Sequence, residues 1–204
     1  MSLLNPQQLD TLSTVIEGVE KKTDAELLVV MARKADKYLY IPTLWAAMIA
    51  LLAPLILKFT PPWLEGDDLL LAQYLIFVAA ASIFRILPIT MLLVPKRIKF
   101  ERASQVAHRQ FLENNVHGTL KHMGVLIFVS EAERYVEIIA DSGISQFVEN
   151  DRWQSSVDQL IQRIKVGDIE KGLIACIEEC GDLLCAYAPV TYQKNELPNH
   201  LVIL

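Results

Sequence analysis

Apolar positions fall into three patterns along the chain. Near the start, Leu9, Leu12, Val15, Ile16 and Val19 recur on one helical face. Asn5, Pro6 and Gln8 precede them. Asn5 can cap, Pro6 suits the first helical position and Gln8 can reach back, so a helix is predicted to start there. Residues 25–32 (AELLVVMA) and 124–130 (GVLIFVS) are short and apolar almost throughout, the pattern of strands buried on both faces. Glu131, Ala132, Glu133 and Arg134 read as a hairpin turn, and 135–140 (YVEIIA) as the returning strand.

Helical spacing returns over 98–115, with Ala103, Ala107 and Phe111 on one stripe. It recurs with Trp153, Val157, Leu160, Ile161 and Ile164, after a start resembling a capping box at Asp151 and Gln154. Gly167 breaks that helix, Asp168 is placed to cap again, and a last helix is predicted to about Ala186. From Pro189 onward the chain reads as irregular.

The third pattern is different in kind. Residues 38–59 and 69–94 are long apolar runs whose few charges are Lys58 at the end of the first and Arg85 inside the second. At about 1.5 Å per residue each is long enough to cross a hydrocarbon core of about 30 Å. They predict a transmembrane hairpin over 38–95 that interrupts one domain, built from 1–37 and 96–188 and followed by a tail over 189–204.

Charge orients the hairpin. Arg33, Lys34 and Lys37 precede it, and Lys96, Arg97, Lys99 and Arg102 follow it, whereas Glu65, Asp67 and Asp68 lie in its connection. Basic flanks stay on the cytoplasmic side, so both termini and the split domain are expected there. Tyr38, Tyr40, Trp45 and Trp63 fall at positions suited to interfacial aromatics. The bilayer is the first expected partner, with Lys96, Arg97, Lys99 and Arg102 facing anionic headgroups. Arg85 stands about 15 Å along a continuous helix from the cytoplasmic end, at a depth similar to Trp45. It reads as an anchor that snorkels or is carried to the interface by a bend at Pro88.

The membrane also constrains strand direction. A strand over 25–32 leads into a span, the helix after Lys96 leaves one, and the strand over 124–130 then returns. The first two strands are thus expected parallel through a crossover, and the third antiparallel to the second. The predicted fold class is α/β, a small α/β/α sandwich with a mixed sheet of about three to four strands, interrupted by the two-helix hairpin.

Over 204 residues the formal net charge is −5, which argues against nucleic acid as a partner. The first residues lack the basic start and small-residue cleavage site of a signal peptide. Cys176, Cys180 and Cys185 lie in one predicted helix, at spacings poorly suited to a disulfide, and read as buried thiols. Serine-hydrolase, P-loop and dinucleotide fingerprints are absent, and His108, His117, His122 and His200 are not at zinc spacing.

One constellation points to chemistry. Asp24 and Glu26 open the first strand and Asp141 closes the third, which puts the three carboxylates on one sheet edge, away from the bilayer. Gathered carboxylates suit Mg²⁺ or Ca²⁺, which could position a phosphate and activate water. The alternative is a turn residue, a solvated strand edge and a cap. The turn at Glu131–Arg134 likewise reads either as a membrane-facing charged contact or as an ordinary solvated turn.

Several segments resemble the TPM domain family, in the branch with two membrane spans inserted after the first strand. They are 23–30 (TDAELLVV), 124–134 (GVLIFVSEAER), 138–144 (IIADSGI), Trp153, 165–173 (KVGDIEKGL) and 195–199 (NELPN). The resemblance implies an α/β/α sandwich and a bacterial inner-membrane location. Relatives are mostly bacterial membrane proteins of unknown function. Some, in chloroplasts, are linked to photosystem repair and phosphatase activity, and others bind divalent cations or act as accessory factors for membrane proteins. The family often has Gly where Asp24 stands here. The leading expectation is therefore a non-catalytic, membrane-anchored accessory module that binds other membrane proteins. The rivals are a divalent-metal-dependent phosphatase or hydrolase using Asp24, Glu26 and Asp141, and a lipid or small-solute handler built around Arg85.

Overall fold

The computed structural model describes residues 4–59, 66–119, 121–148, 150–191 and 201–204. Trp63 and Glu65, assigned above to the connection between the apolar runs, lie outside them, as do 195–199 and His200. The chain divides into two units: Met1–Ala35 with Phe100–Leu204, and Asp36–Lys99.

In the first unit, helix α1 (Pro6–Glu20) starts as the sequence predicts. Asn5 accepts from the Gln8 N–H and Gln8 accepts from the Asn5 N–H, each at 2.8 Å. Strands β1 (Glu26–Ala32) and β2 (Gly124–Ser130) are buried along their whole length and pair in parallel. β3 (Tyr135–Ala140) pairs antiparallel to β2. The segment after Pro189, read from the sequence as irregular, supplies β4 (Leu201–Ile203), parallel to β1, so the sheet order is β3-β2-β1-β4.

Both faces of β1 and β2 are apolar because both are covered. On one face Leu27, Val29, Met31, Val125 and Ile127 share a core with Leu12 and Ile16 of α1, Trp153 and Leu160 of α7 (Asn150–Lys165), and Ile177 and Leu184 of α8 (Ile169–Tyr187). On the other, Leu28, Val30, Leu126 and Phe128 pack with Ala103 and Ala107 of α5 (Lys96–Glu113). This is an α/β sandwich around a mixed four-stranded sheet. Fully burying one such aliphatic side chain contributes roughly 1.5–3 kcal/mol.

Two predicted caps differ. Asp151 lies inside the first turn of α7, and Gln154 donates instead to Asp158, at 2.9 Å. Asp168 precedes α8 without a capping bond and pairs with Arg163 and Lys171, at 3.6 and 3.5 Å. Gly167 does end α7, at φ +81°, a left-handed conformation glycine adopts without strain.

In the second unit, α2 (Tyr40–Leu57) is one unbroken helix. The second apolar run is not: α3 (Asp67–Ile83) and α4 (Leu87–Leu93) meet at 102°. The cause is Pro88, which lacks an N–H for the Phe84 carbonyl and would collide with it in a continuous helix. Ile86, two residues before Pro88, turns extended (ψ 125°), and the Thr90 hydroxyl donates to the Phe84 oxygen at 2.7 Å, supplying the missing bond.

α2 and α3 pack together. The shielded positions of α2 include Pro42, Ala46, Ala50 and Ala53, a seam of small side chains that permits close approach. α3 has no fully buried residue, and its half-shielded positions Leu69, Ala72, Gln73, Ile76, Phe77 and Ala80 recur at helical spacing. Tyr38 is not an outward interfacial aromatic: it is fully buried with Ile41 and Val94, at φ +50°. Tyr40 and Trp45 are exposed.

Candidate functional site

The edge where β1 and β2 begin and β3 ends carries Asp24, Glu26 and Asp141, as strand direction predicts. The side chains do different things there. Asp24 clasps the end of α8 to the start of β1. Its Oδ1 accepts from the Thr191 N–H at 2.7 Å, and its Oδ2 from the Lys121 ammonium at 2.9 Å and from the Thr191 hydroxyl. Thr23 adds to the clasp through its hydroxyl, which donates to the Ala188 carbonyl at 2.6 Å, and the Asp24 N–H donates to the same oxygen at 3.0 Å.

Asp141 caps the single-turn helix α6 (Ser142–Ser145), accepting from the Ser142 N–H at 2.6 Å, and faces His122 Nδ1 at 3.2 Å. Gly143 is required beside it, because a Cβ there would stand 2.3 Å from the Lys121 carbonyl. Glu26 is buried at the first position of β1. A divalent cation shared by these residues would have to displace the Lys121 ammonium from Asp24. Among the described residues no three His, Cys, Asp or Glu side chains come together to hold a metal.

A second polar group, which sequence reasoning missed, lies where α5 crosses β3. Tyr135 donates to Glu137 at 3.0 Å, and Ser104 donates to the other Glu137 oxygen at 3.3 Å. His108 Nδ1 lies 4.0 Å from Glu137 and 3.4 Å from the Ser104 hydroxyl. The residue types resemble a catalytic triad, but the geometry is not one. The same ring nitrogen faces both partners and also the Ser104 carbonyl at 3.0 Å, so no proton can pass through the ring from serine to carboxylate. Only the pairing of β3 with α5, absent from any local motif, brings these side chains together.

Burial, and then the nearby Glu137 carboxylate, push the Tyr135 phenol up to about 12, against a Ser104 contact acting the other way. The folded state therefore favours the neutral phenol. That contribution is complete below pH 10 and is lost as pH rises through the folded value. Absorbance at 295 nm should show a tyrosine component ionising near pH 12 that Tyr135→Phe removes. An unchanged alkaline limb would refute the assignment.

Cys176 and Cys180 are buried, and their mutual hydrogen bond and then burial hold the Cys180 thiol well above its ordinary range. A protonated thiol is neither nucleophile nor metal ligand at neutral pH.

The turn after β2 is not simply solvated. Glu133 is buried, accepting from the Ser130 hydroxyl and from the Ala35 N–H at 3.2 Å. Of the residues read as membrane-facing, Arg85 is exposed in the break between α3 and α4, and Arg97 is exposed on α5. Lys99 places its ammonium 2.9 Å from the Met91 carbonyl at the end of α4. Arg102 reaches Gln105 at 3.4 Å, and Lys96 opens α5.

The family model described as TPM domain matches residues 87–183, from α4 through most of α8. The NMR structure of BA42 protein from the psychrophilic bacterium Bizionia argentinensis resembles this chain with a TM-score of 0.60 at 19% identity, covering 98% of this chain and 94% of that one. At that identity the likeness speaks for the fold. No curated protein matches the sequence.

Proposed function

We propose that this is a TPM-domain protein anchored in the inner membrane by α2 and α3, with both termini and the α/β unit cytoplasmic, and that the unit serves as a non-catalytic interaction module for other membrane proteins. The observation that carries the anchoring is the exposure of α2. Over its 18 residues the mean hydropathy is 2.0, yet only 28% of it is buried. A core helix of a water-soluble protein this apolar would be mostly covered, and exposed apolar surface of this extent marks an interaction with lipid or protein. The small-residue seam between α2 and α3 suits helix association in a bilayer, and the basic flanks favour the cytoplasmic side.

The interaction role is supported by how the edge carboxylates are used. Asp24 and Asp141 organise backbone and hold neighbouring segments, as in a scaffold. The rival hydrolase reading rests on their sharing one sheet edge with Glu26. Two measurements separate these readings. Crosslinking in native membranes followed by mass spectrometry should recover defined membrane-protein neighbours. Phosphatase assay of the purified protein with added Mg²⁺ or Ca²⁺ should show no turnover, and turnover abolished by Asp141→Ala would establish the hydrolase instead. An impermeant thiol reagent should label Asp67→Cys in intact cells, and labelling only after lysis would reverse the orientation.

A further inference from the structure

Three observations within the Asp36–Lys99 unit bear on how α4 lies. First, α2 and α3 are nearly matched, at 18 and 17 residues, or about 27 and 26 Å. Packed together as a hairpin, they bring the end of α3 back to the level at which α2 begins. Second, the chain then turns by 102° into α4. Third, Val94, just past α4, is buried against Tyr38 and Ile41 at the start of α2. Both ends of α4 therefore lie level with the beginning of α2. A straight helix from Asp67 to Leu93 would instead be about 40 Å long, well beyond the hydrocarbon core.

This relocates Arg85. In a continuous helix it would lie about 15 Å deep, near Trp45. With the bend it lies just past α3, at the mouth of the hairpin. From Leu69 through Phe100 the sequence contains no Asp or Glu, while Arg85, Lys96, Arg97 and Lys99 all fall within that stretch. Among the described residues Arg85 makes no ion pair.

We propose that α4 lies along the bilayer surface rather than across it, and that Arg85, Arg97 and Lys99 there bind the headgroup phosphates of anionic phospholipids. This rests on the membrane anchoring proposed above. α4 is apolar apart from Thr90, which is turned inward, and its exposed Leu87 and Leu92 are free to enter the acyl layer just below the headgroups. The guanidinium groups supply paired donors to phosphate oxygens, and Lys99 a point charge.

The test uses spin labels on the full chain reconstituted in bilayers, in a Cys185→Ala background. Labels are placed at Leu75→Cys on α3, Ile86→Cys in the break and Leu92→Cys on α4. Leu75 should be accessible to oxygen and shielded from a water-soluble nickel chelate. Ile86 and Leu92 should report similar, shallow depths. A helix crossing the bilayer would separate those two by about 9 Å, and that result would overturn the placement of α4 while leaving the anchoring intact. Chelate access at Leu75 would overturn the anchoring itself.

The lipid contact is read separately, by native mass spectrometry of protein released from mixed phosphatidylglycerol and phosphatidylcholine bilayers. Phosphatidylglycerol should be enriched among retained lipids. The combined Arg85→Gln, Arg97→Gln, Lys99→Gln variant should lose that enrichment several-fold. Equal enrichment in both proteins would overturn the headgroup assignment.

Discussion

Ile49→Arg will drive the protein out of the carbonate-resistant membrane fraction, while Leu112→Arg will leave it there. Both residues are large, apolar and exposed, at 42% and 61%. Only their surroundings differ in the proposed arrangement. Ile49 stands near the middle of α2, and a basic residue at the centre of a span costs about 2.5–3.5 kcal/mol on insertion scales, on the order of a 100-fold shift in that span's insertion equilibrium. Leu112 lies near the end of α5, and a charge there replaces an exposed leucine in water, an effect within about 0.5 kcal/mol. If α2 were instead a water-exposed helix, the two substitutions would behave alike and each would improve solubility. Retention of Ile49→Arg in extracted membranes would therefore remove α2 as the anchor.

How much of this architecture the sequence discloses depends on how local its cause is. The Asn5 cap, the fully apolar runs of β1 and β2 and the turn after β2 are written in neighbouring residues, and strand direction follows once each strand is joined to its connecting helix. The bend in the second apolar run is also half visible. The run is longer than a bilayer needs, and Pro88 marks where it must break. The direction taken afterwards is not visible, because it depends on the extended Ile86 and on Thr90 reaching the Phe84 oxygen. β4 carries no local signal, because three residues have no periodicity and their partner, β1, lies at the other end of the chain. The carboxylate edge shows the same limit. Strand order puts Asp24 and Asp141 on one side, but the Lys121 and Thr191 groups that occupy Asp24 come from distant segments. Local charge likewise leaves the turn after β2 open between a solvated turn and a charged membrane contact, and does not reveal that one of its carboxylates faces inward.

That inward carboxylate carries the other large prediction. Replacing Glu133 by alanine should destabilise the α/β unit by about 2–4 kcal/mol, read as a lowered urea midpoint of the full chain in detergent. Residues after β1 extend its parallel pairing into the turn: the Glu131 N–H donates to the Ala32 carbonyl at 3.0 Å and the Ala132 N–H to the Arg33 carbonyl at 3.1 Å. The chain then leaves the sheet, and the Ala35 N–H turns toward the hairpin with Glu133 as its acceptor. The Ser130 hydroxyl, fully buried at the end of β2, donates to the second Glu133 oxygen. Alanine would strand the buried Ser130 hydroxyl without water, at about 1–3 kcal/mol, take the acceptor from the part-buried Ala35 N–H, at about 1 kcal/mol, and leave a cavity besides. Glu133→Gln keeps an acceptor for Ala35 and offers an amide N–H to the serine oxygen, so it should cost only about 1 kcal/mol. The ordering separates hydrogen bonding from bulk: glutamine close to wild type and alanine far below it. A Glu133→Ala protein within about 0.5 kcal/mol of wild type would show that the turn does not hold the exit of β1. Such a loss would reach beyond stability, because Ala35 is the last residue of the α/β unit before the insert, and Glu133 fixes where the chain departs from the sheet.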